Sequence, residues 1–461
     1  MLSEHARSPM GNRQGPIPVQ RLSRKEMIPC QAKKGSNHPS IKDGGFAFIL
    51  CWLMLALNLP CLVHADLTIN PYVGGGVNYD DNIDLSPTEA DHDVVTSIRP
   101  GVDLNWTGRH GNLGISYNPS YNAYVNRPEY TFTSHTATLE GSLTIARGTS
   151  LTASNAYMHT EDPLTGDDTT VRRGRNPYFS NTATVGISSQ FGAESQIDLT
   201  YTYYVLENDD ITIEDSSYHQ PELAMTYWFL PNRYAIEMEG QYTIGDFDTS
   251  EDFEDLGARI RLIKRFGRRF DVYIDYSHTY LDYMNDAEDY QVYSPIIGFA
   301  WDERADTRFE FSFGYFYRDN EFSGDDDGIV GNINVAYEWG PGGTITFNGS
   351  VGYDQAFFGA ENLGFNPFYE IATEVTYPIA QRLTGTLSGS YRRSLYIDET
   401  PDREDSVWGG ETGLAYQALP WLRLNLNYTY SQINSNVDLN DYTKNQVMLS
   451  VTLTPRQPIR F

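Results

Sequence analysis

Arg259 and Arg261 stand two residues apart, as do Glu237 and Glu239, and as do Arg308 and Glu310. Asp271 and Asp275, like Glu370 and Glu374, stand four apart. Even spacing matches the period of a β-strand, which sends alternate side chains to opposite faces. Each pair therefore shares one face, while Ala258, Ile260 and Leu262 share the other. Charges gathered on one face of extended chain, with Asp198 and Arg423 in similar settings, line water; they do not assemble a catalytic centre. His92, His110, His135, His159, His219 and His278 are scattered and fall in neither an H-E-x-x-H nor a G-x-S-x-G context. Ser134 and His135 are adjacent, so a strand would point them to opposite sides. Cys30, Cys51 and Cys61 all precede residue 65, which leaves the rest of the chain without thiol chemistry. Asp325-Asp326-Asp327-Gly328 lacks calcium-loop spacing, and Gly74-Gly75-Gly76 is followed by no helix that would make it a phosphate loop. The expectation is a non-enzyme with no metal site and no cofactor.

The elements that would carry these charges are long alternating segments. Leu422, Leu424, Leu426, Tyr428 and Tyr430 oppose Arg423, Asn425, Asn427 and Thr429; Phe309, Phe311, Phe313 and Tyr315 oppose Arg308, Glu310 and Ser312. Such segments run about 11 to 15 residues, longer than the roughly 5 to 6 of soluble sheets. Tight turns such as RHGN, FGAE, FGRR and GPGG alternate with long polar loops such as DDNIDLSPTEADHD and RDNEFSGDDDG. Alternation between short turns on one side and long loops on the other is the pattern of a bacterial outer-membrane barrel. Nine tight turns, with a first and a last strand added, predict a single all-β antiparallel up-and-down transmembrane barrel of about 20 strands, in the range 18–22.

Register follows from cost. An arginine facing lipid near the midplane costs roughly 2–4 kcal/mol, so Arg259 and Arg261 are placed in the lumen. Asp198, Glu237, Glu239, Asp271, Asp275, Arg308, Glu310, Glu370, Glu374 and Arg423 join them. Trp106, Trp228, Trp301, Trp339 and Trp421 lie near tight turns and are expected to form a periplasmic aromatic girdle. The longest connection, DPLTGDDTTVRRGRNPYF (162–179), carries Arg172, Arg173 and Arg175. It is read as a loop that folds inward to constrict the bore opposite Glu237 and Glu239, or as an outer-rim site for lipopolysaccharide phosphates.

Residues 1–65 read as a leader. An uncharged apolar run from Gly44 to Ala65 follows a basic stretch and ends Val63-His64-Ala65, which predicts a secretory signal peptide cleaved after Ala65. A retained anchor is the alternative, and Met27 is a candidate true start. Asn58-Leu59-Pro60 before Cys61 makes a poor lipobox. The leader holds eight of the 33 Lys and Arg residues and three of the 61 Asp and Glu residues, so residues 66–461 carry a formal charge of −33. That charge excludes nucleic acid as a partner.

The segments NPYVGGGVNYDDNIDL and TSIRPGVDLNWTGRHGNLGISYNPSYNAYV resemble the start of the second β-barrel porin family, outer-membrane barrels associated with exopolysaccharide and PEP-CTERM systems. Tyr79-Asp80-Asp81-Asn82-Ile83 and Arg99-Pro100-Gly101 carry the resemblance. It implies a pore in the outer membrane, linked to polysaccharide secretion. The chain also ends in alternating apolar residues and Phe461, similar to the signal read by the barrel assembly machinery; Pro455 and Pro458 interrupt it, so pairing is expected to stop near Thr454 with Phe461 reaching into the periplasm. The functions left open are a channel for hydrophilic solutes or exopolysaccharide, a scaffold enclosing a secretion component or electron carrier, and a surface adhesin with acidic loops. Expected partners are outer-membrane lipid and lipopolysaccharide, the assembly machinery, and polysaccharide secretion components.

Overall fold

The structure, a computed structural model, describes residues 66–165, 171–172, 175–284, 288–304, 307–340, 342–354, 364–398 and 402–461. The leader expected over 1–65, with its cleavage after Ala65, lies outside the described residues.

Tyr, Val, Thr and Phe at alternating positions favour a pleated surface buried on one side, and long strands result. β1 (Asp66–Asp80), β2 (Asp93–Thr107), β3 (Gly111–Tyr124), β4 (Phe132–Ala146) and β5 (Thr149–Thr160) come first. β6 (Tyr178–Phe191), β7 (Ser195–Asn208), β8 (Ser216–Leu230), β9 (Tyr234–Phe247) and β10 (Phe253–Phe266) follow. β11 (Phe270–Tyr283), β12 (Tyr290–Arg304), β13 (Thr307–Asn320), β14 (Asp326–Trp339) and β15 (Gly343–Asp354) continue the wall. β16 (Asn366–Ala380), β17 (Leu383–Tyr396), β18 (Arg403–Leu419), β19 (Leu422–Ser435) and β20 (Tyr442–Leu453) complete it. Each strand pairs antiparallel with the next, and β1 also pairs with β20 from Val73↔Leu453 to Asp80↔Gln446. The described residues therefore form a closed barrel of 20 strands, which leaves no edge for another chain to join.

Closure has a second component at the C-terminus. Proline has no N–H to give to a ladder, and the chain leaves β20 before Pro455 and Pro458. It then returns: Ile459 pairs with Ile69 and Arg460 with Thr68, while Phe461 and Leu67 exchange backbone bonds of 3.0 and 3.3 Å. The expectation that Phe461 extends away from the wall is corrected. Directly opposed residues share a face, so Ile459 and Phe461 lie on the outer face beside Ile69 and Leu67.

At one end the strands are joined by two or three residues; at the other, by loops of five to seventeen. The short turns use left-handed positions, Gly267 at φ 73° and Asn232 at φ 59° among them. The acidity of the long loops has a local cause. An N–H past the last ladder bond needs an acceptor, and aspartates at or just before the start of an adjacent strand supply it. Asp93 accepts from Val125, Asn126 and Arg127 at 3.0 Å each. Asp215 takes the N–H of Asn208 at 2.7 Å, Asp252 that of Phe247 at 2.8 Å, Asp289 that of Tyr283 at 2.9 Å and Asp441 that of Ser435 at 2.6 Å.

The outer face is apolar and the inner face wet along most of each strand. In β10, Leu256, Ile260 and Leu262 are exposed outward, while Arg259, Arg261 and Arg265 alternate with them. Near the long-loop end this division fails. Phe253, Leu281, Tyr290, Val292 and Phe316 turn inward and bury the loop residue Phe365 among them. Arg318 caps the cluster, its guanidinium 4.1 Å from the Tyr290 ring and 4.5 Å from that of Phe365, and forms a two-point pair with Asp398 at 2.9 and 3.1 Å. Loops without lipid to cover them bury their apolar residues against the inner wall instead.

Candidate functional site

Adjacent strands bring the charged rows into register. Glu239 stands opposite Arg259, Glu237 opposite Arg261, and Arg261 opposite Asp275. Arg259 pairs with Glu239 and reaches Asp275 at 3.6 Å; Arg261 donates to Asp275 at 2.7 and 3.0 Å and lies 3.9 Å from Glu237. Arg265 forms a two-point pair with Asp271 at 2.9 and 3.0 Å. Arg261 also stacks 4.0 Å over Tyr273, whose hydroxyl donates to Glu310 at 3.2 Å, and Glu310 pairs with Arg308 at 3.2 Å. One network thus spans the lumenal face from β9 to β13. A second centre lies on β15 to β17, where Arg392 pairs with Asp354 and, at 3.3 Å, with Glu370, and stacks 3.9 Å over Phe368. Asp198 accepts from Gln196 at 2.8 Å and Glu374 from Thr376 at 3.5 Å. Arg423 is exposed at the start of β19, on the same face as Asn425.

A cavity of about 830 Å³ opens on the inner wall where β1 meets β20. Asp80 accepts from Lys444 at 2.9 Å and from Gln446 at 2.8 Å; Asp81 accepts from the backbone and side-chain amides of Asn445 at 2.6 and 2.7 Å. Asn82 donates to the Thr443 carbonyl at 3.1 Å, and Ile83 is buried against Val95, Tyr124 and Phe132. The residues 80–83 therefore latch the first loop across the seam. Arg175 enters the same cavity, paired with Asp162 at 2.7 Å and stacked 4.6 Å over Tyr124 and 5.3 Å over Phe132.

The chain matches the family described as Putative beta-barrel porin 2 over residues 66–220 and 310–455. It belongs to that porin family. The porin resides in the bacterial outer membrane, with its short turns periplasmic and its long loops outside. Among solved structures it is similar to OccAB3 of Acinetobacter baumannii, at 10% identity over 86% of this chain and 99% of that one, TM-score 0.40. It is also similar to OccK2 (OpdF) of Pseudomonas aeruginosa in complex with glucuronate, at 12% identity over 84% and 98%, TM-score 0.41. The ferric enterobactin receptor PfeA of Pseudomonas aeruginosa matches at 8% identity over 84% and 80%, TM-score 0.48. No curated protein matches the porin.

The periplasmic rim is aromatic on its outer face. Trp106 and Trp301 sit in outward rows, and Trp339 stacks with Tyr377 at 6.0 Å. Phe266, Phe270, Phe299 and Phe309 continue the band at centroid spacings of 5.6 to 6.1 Å. Trp228 is a correction to the expected girdle: it stands at that rim in the lumenal row of β8, with the Arg265 guanidinium 4.2 Å over its ring. Its position two residues from Thr226, not its distance from the turn, sets its face. Trp421 lies in the turn before β19.

Of the three arginines of the long connection, Arg175 is the one whose side chain falls among the described residues. Arg175 faces Asp162 and the aromatic cluster of β3 and β4 rather than Glu237 and Glu239, which Arg261 and Arg259 already engage. The backbone of Arg172 pairs with Leu164, and its side chain and Arg173 lie outside the described residues. Sequence reasoning missed the latch, the seam cavity and the aspartate caps. Residues 79–83 and 99–101 were the available signal, since the family motif coincides with the seam.

Proposed function

We propose that the porin is a passive channel for hydrophilic solutes. The observation that carries this reading is the paired lumenal network of β9 to β13, in which cations and anions alternate across strands. A wall built this way offers water-like contacts along the path while keeping its net field small, so polar solutes pass without strong ion preference. Removing the acidic members tests it. Glu237→Gln with Glu239→Gln leaves Arg259 and Arg261 less compensated, and the reversal potential across a salt gradient in planar bilayers should move toward anion preference. An unchanged reversal potential would mean that ions do not pass beside this wall.

A further inference from the structure

Two lumenal cations have no carboxylate beside them among the described residues: Arg423, exposed at the start of β19, and Arg99, which is half-buried in the wall. Arg259, Arg261, Arg265, Arg308, Arg318, Arg392 and Lys444 each have a carboxylate within 4 Å. Among the described residues Arg99 has none. The carboxylates lining its cavity are already engaged: Asp80 by Lys444 at 2.9 Å and Asp162 by Arg175 at 2.7 Å.

Glycines decide how Arg99 lies. Gly74 and Gly76 occupy the lumenal row of β1, and the arginine crosses that row to reach Met448 Sδ at 3.9 Å. A Cβ at residue 76 would stand 3.2 Å from Arg99 Nη2 and 3.1 Å from the Leu449 carbonyl. Gly101 does the same for Tyr72: a Cβ there would stand 2.3 Å from the ring, so the ring lies flat across β2. Arginine and tyrosine are both laid along the wall of the 830 Å³ cavity. Asn78, Asn118, Ser120 and Gln446 line the cavity beside them, and Asn78 Oδ1 and Asn118 Oδ1 have no donor among the described residues.

We propose that this seam wall is a binding subsite for a polyhydroxy solute that bears a carboxylate. The inference rests on the channel reading and adds a substrate class to it. A planar fork with no internal acid matches a carboxylate at two points. The charged residues lining the cavity, Arg99, Arg175 and Lys444 against Asp80 and Asp162, leave one positive charge unmatched, which suits a singly charged group better than a dianionic phosphate. The flat face of Tyr72 takes the C–H face of the solute body, and the amides and hydroxyls take its hydroxyl groups.

The test compares galacturonate, galactose and sulfate as blockers of single-channel current through the full-length protein. Galacturonate should interrupt the current with resolvable dwell times, while galactose and sulfate should give much weaker block. Arg99→Gln should weaken galacturonate block roughly tenfold or more, the size expected for losing a charged hydrogen-bonded pair, and Tyr72→Leu should shorten the dwell time for galacturonate and galactose alike. Where Arg99→Gln does not assemble, Gly76→Ala, which displaces the guanidinium, makes the same comparison. Equal block by galacturonate and galactose, or block unchanged in both variants, overturns the subsite. If the wild type shows no current steps, the channel reading has failed instead; calorimetric titration of galacturonate into detergent-solubilised wild type and variant then decides the subsite on binding alone.

Discussion

At the scale of the residue, partners rather than residue types decide what a charge does. Asp275 has 5% of its side chain exposed and depends on Arg261 at 2.7 Å. Arg261→Ala leaves that carboxylate with Arg259 at 3.6 Å as its remaining cation, so destabilisation of about 3 kcal/mol is expected, the cost of breaking a buried pair from one side. Urea titration of the folded gel band measures it, and adding Asp275→Ala to Arg261→Ala should recover part of the loss. Glu214, in the loop before β8, responds to acid. Partial burial works to raise its carboxyl, but hydrogen bonds from Thr249 and Ser250, two from hydroxyls and two from backbone N–H groups, outweigh it and hold the group below its ordinary range. A depressed folded value means that the stabilisation is present above the unfolded carboxyl range and is lost as pH falls through the folded value. Amide exchange at Thr249 and Ser250, corrected for its intrinsic pH dependence, should accelerate on acidification in the wild type and be fast at all pH values in Glu214→Ala.

At the scale of the element, the terminal return strand shows how a proline changes a strand's course without ending its role. The Thr454 N–H still donates to the Trp421 carbonyl at 3.0 Å; residues 455–458 leave the ladder, yet Ile459 and Arg460 pair with β1, and Phe461 bonds to Leu67. Deleting residues 459–461 would expose the lower edge of β1, and unpaired backbone beside lipid costs several kcal/mol. The truncated chain should assemble poorly, and its heat-modifiable band should convert at a lower temperature than wild type; identical conversion would show that the return strand carries no closure. The elements also mark what could be read in advance. Alternation, turn lengths and the cost of exposing Arg259 and Arg261 lead to the strands, their faces and the count of 20. Period alone carries no information about depth. Parity puts Phe253, Leu281 and Phe316 in the rows of Arg259, Asp275 and Arg308, but it could not show that they lie at the depth where the loop residue Phe365 packs on them. Parity with Thr226 likewise puts Trp228 inside, and its closeness to the turn was the misleading signal; its stacking beneath Arg265 depends on a strand two away in the wall.

At the scale of the whole molecule, the features hidden in the sequence are those formed between distant strands. Arg99, Gly76 and Met448 meet only because β1 joins both β2 and β20, although Arg99 and Met448 are 349 residues apart in the chain. Closure is therefore both the main structural fact and the origin of the seam cavity. At the long-loop end Arg318 and Arg175 hold loop carboxylates, Asp398 and Asp162, away from the paired wall of β9 to β13. The central claim is that this closed barrel encloses a water-filled path across the outer membrane. Planar-bilayer recording of the purified, heat-modifiable protein tests it most directly. The account predicts discrete current steps of uniform size with weak ion preference. Folded, membrane-inserted protein that carries no current in salt on either side would contradict it.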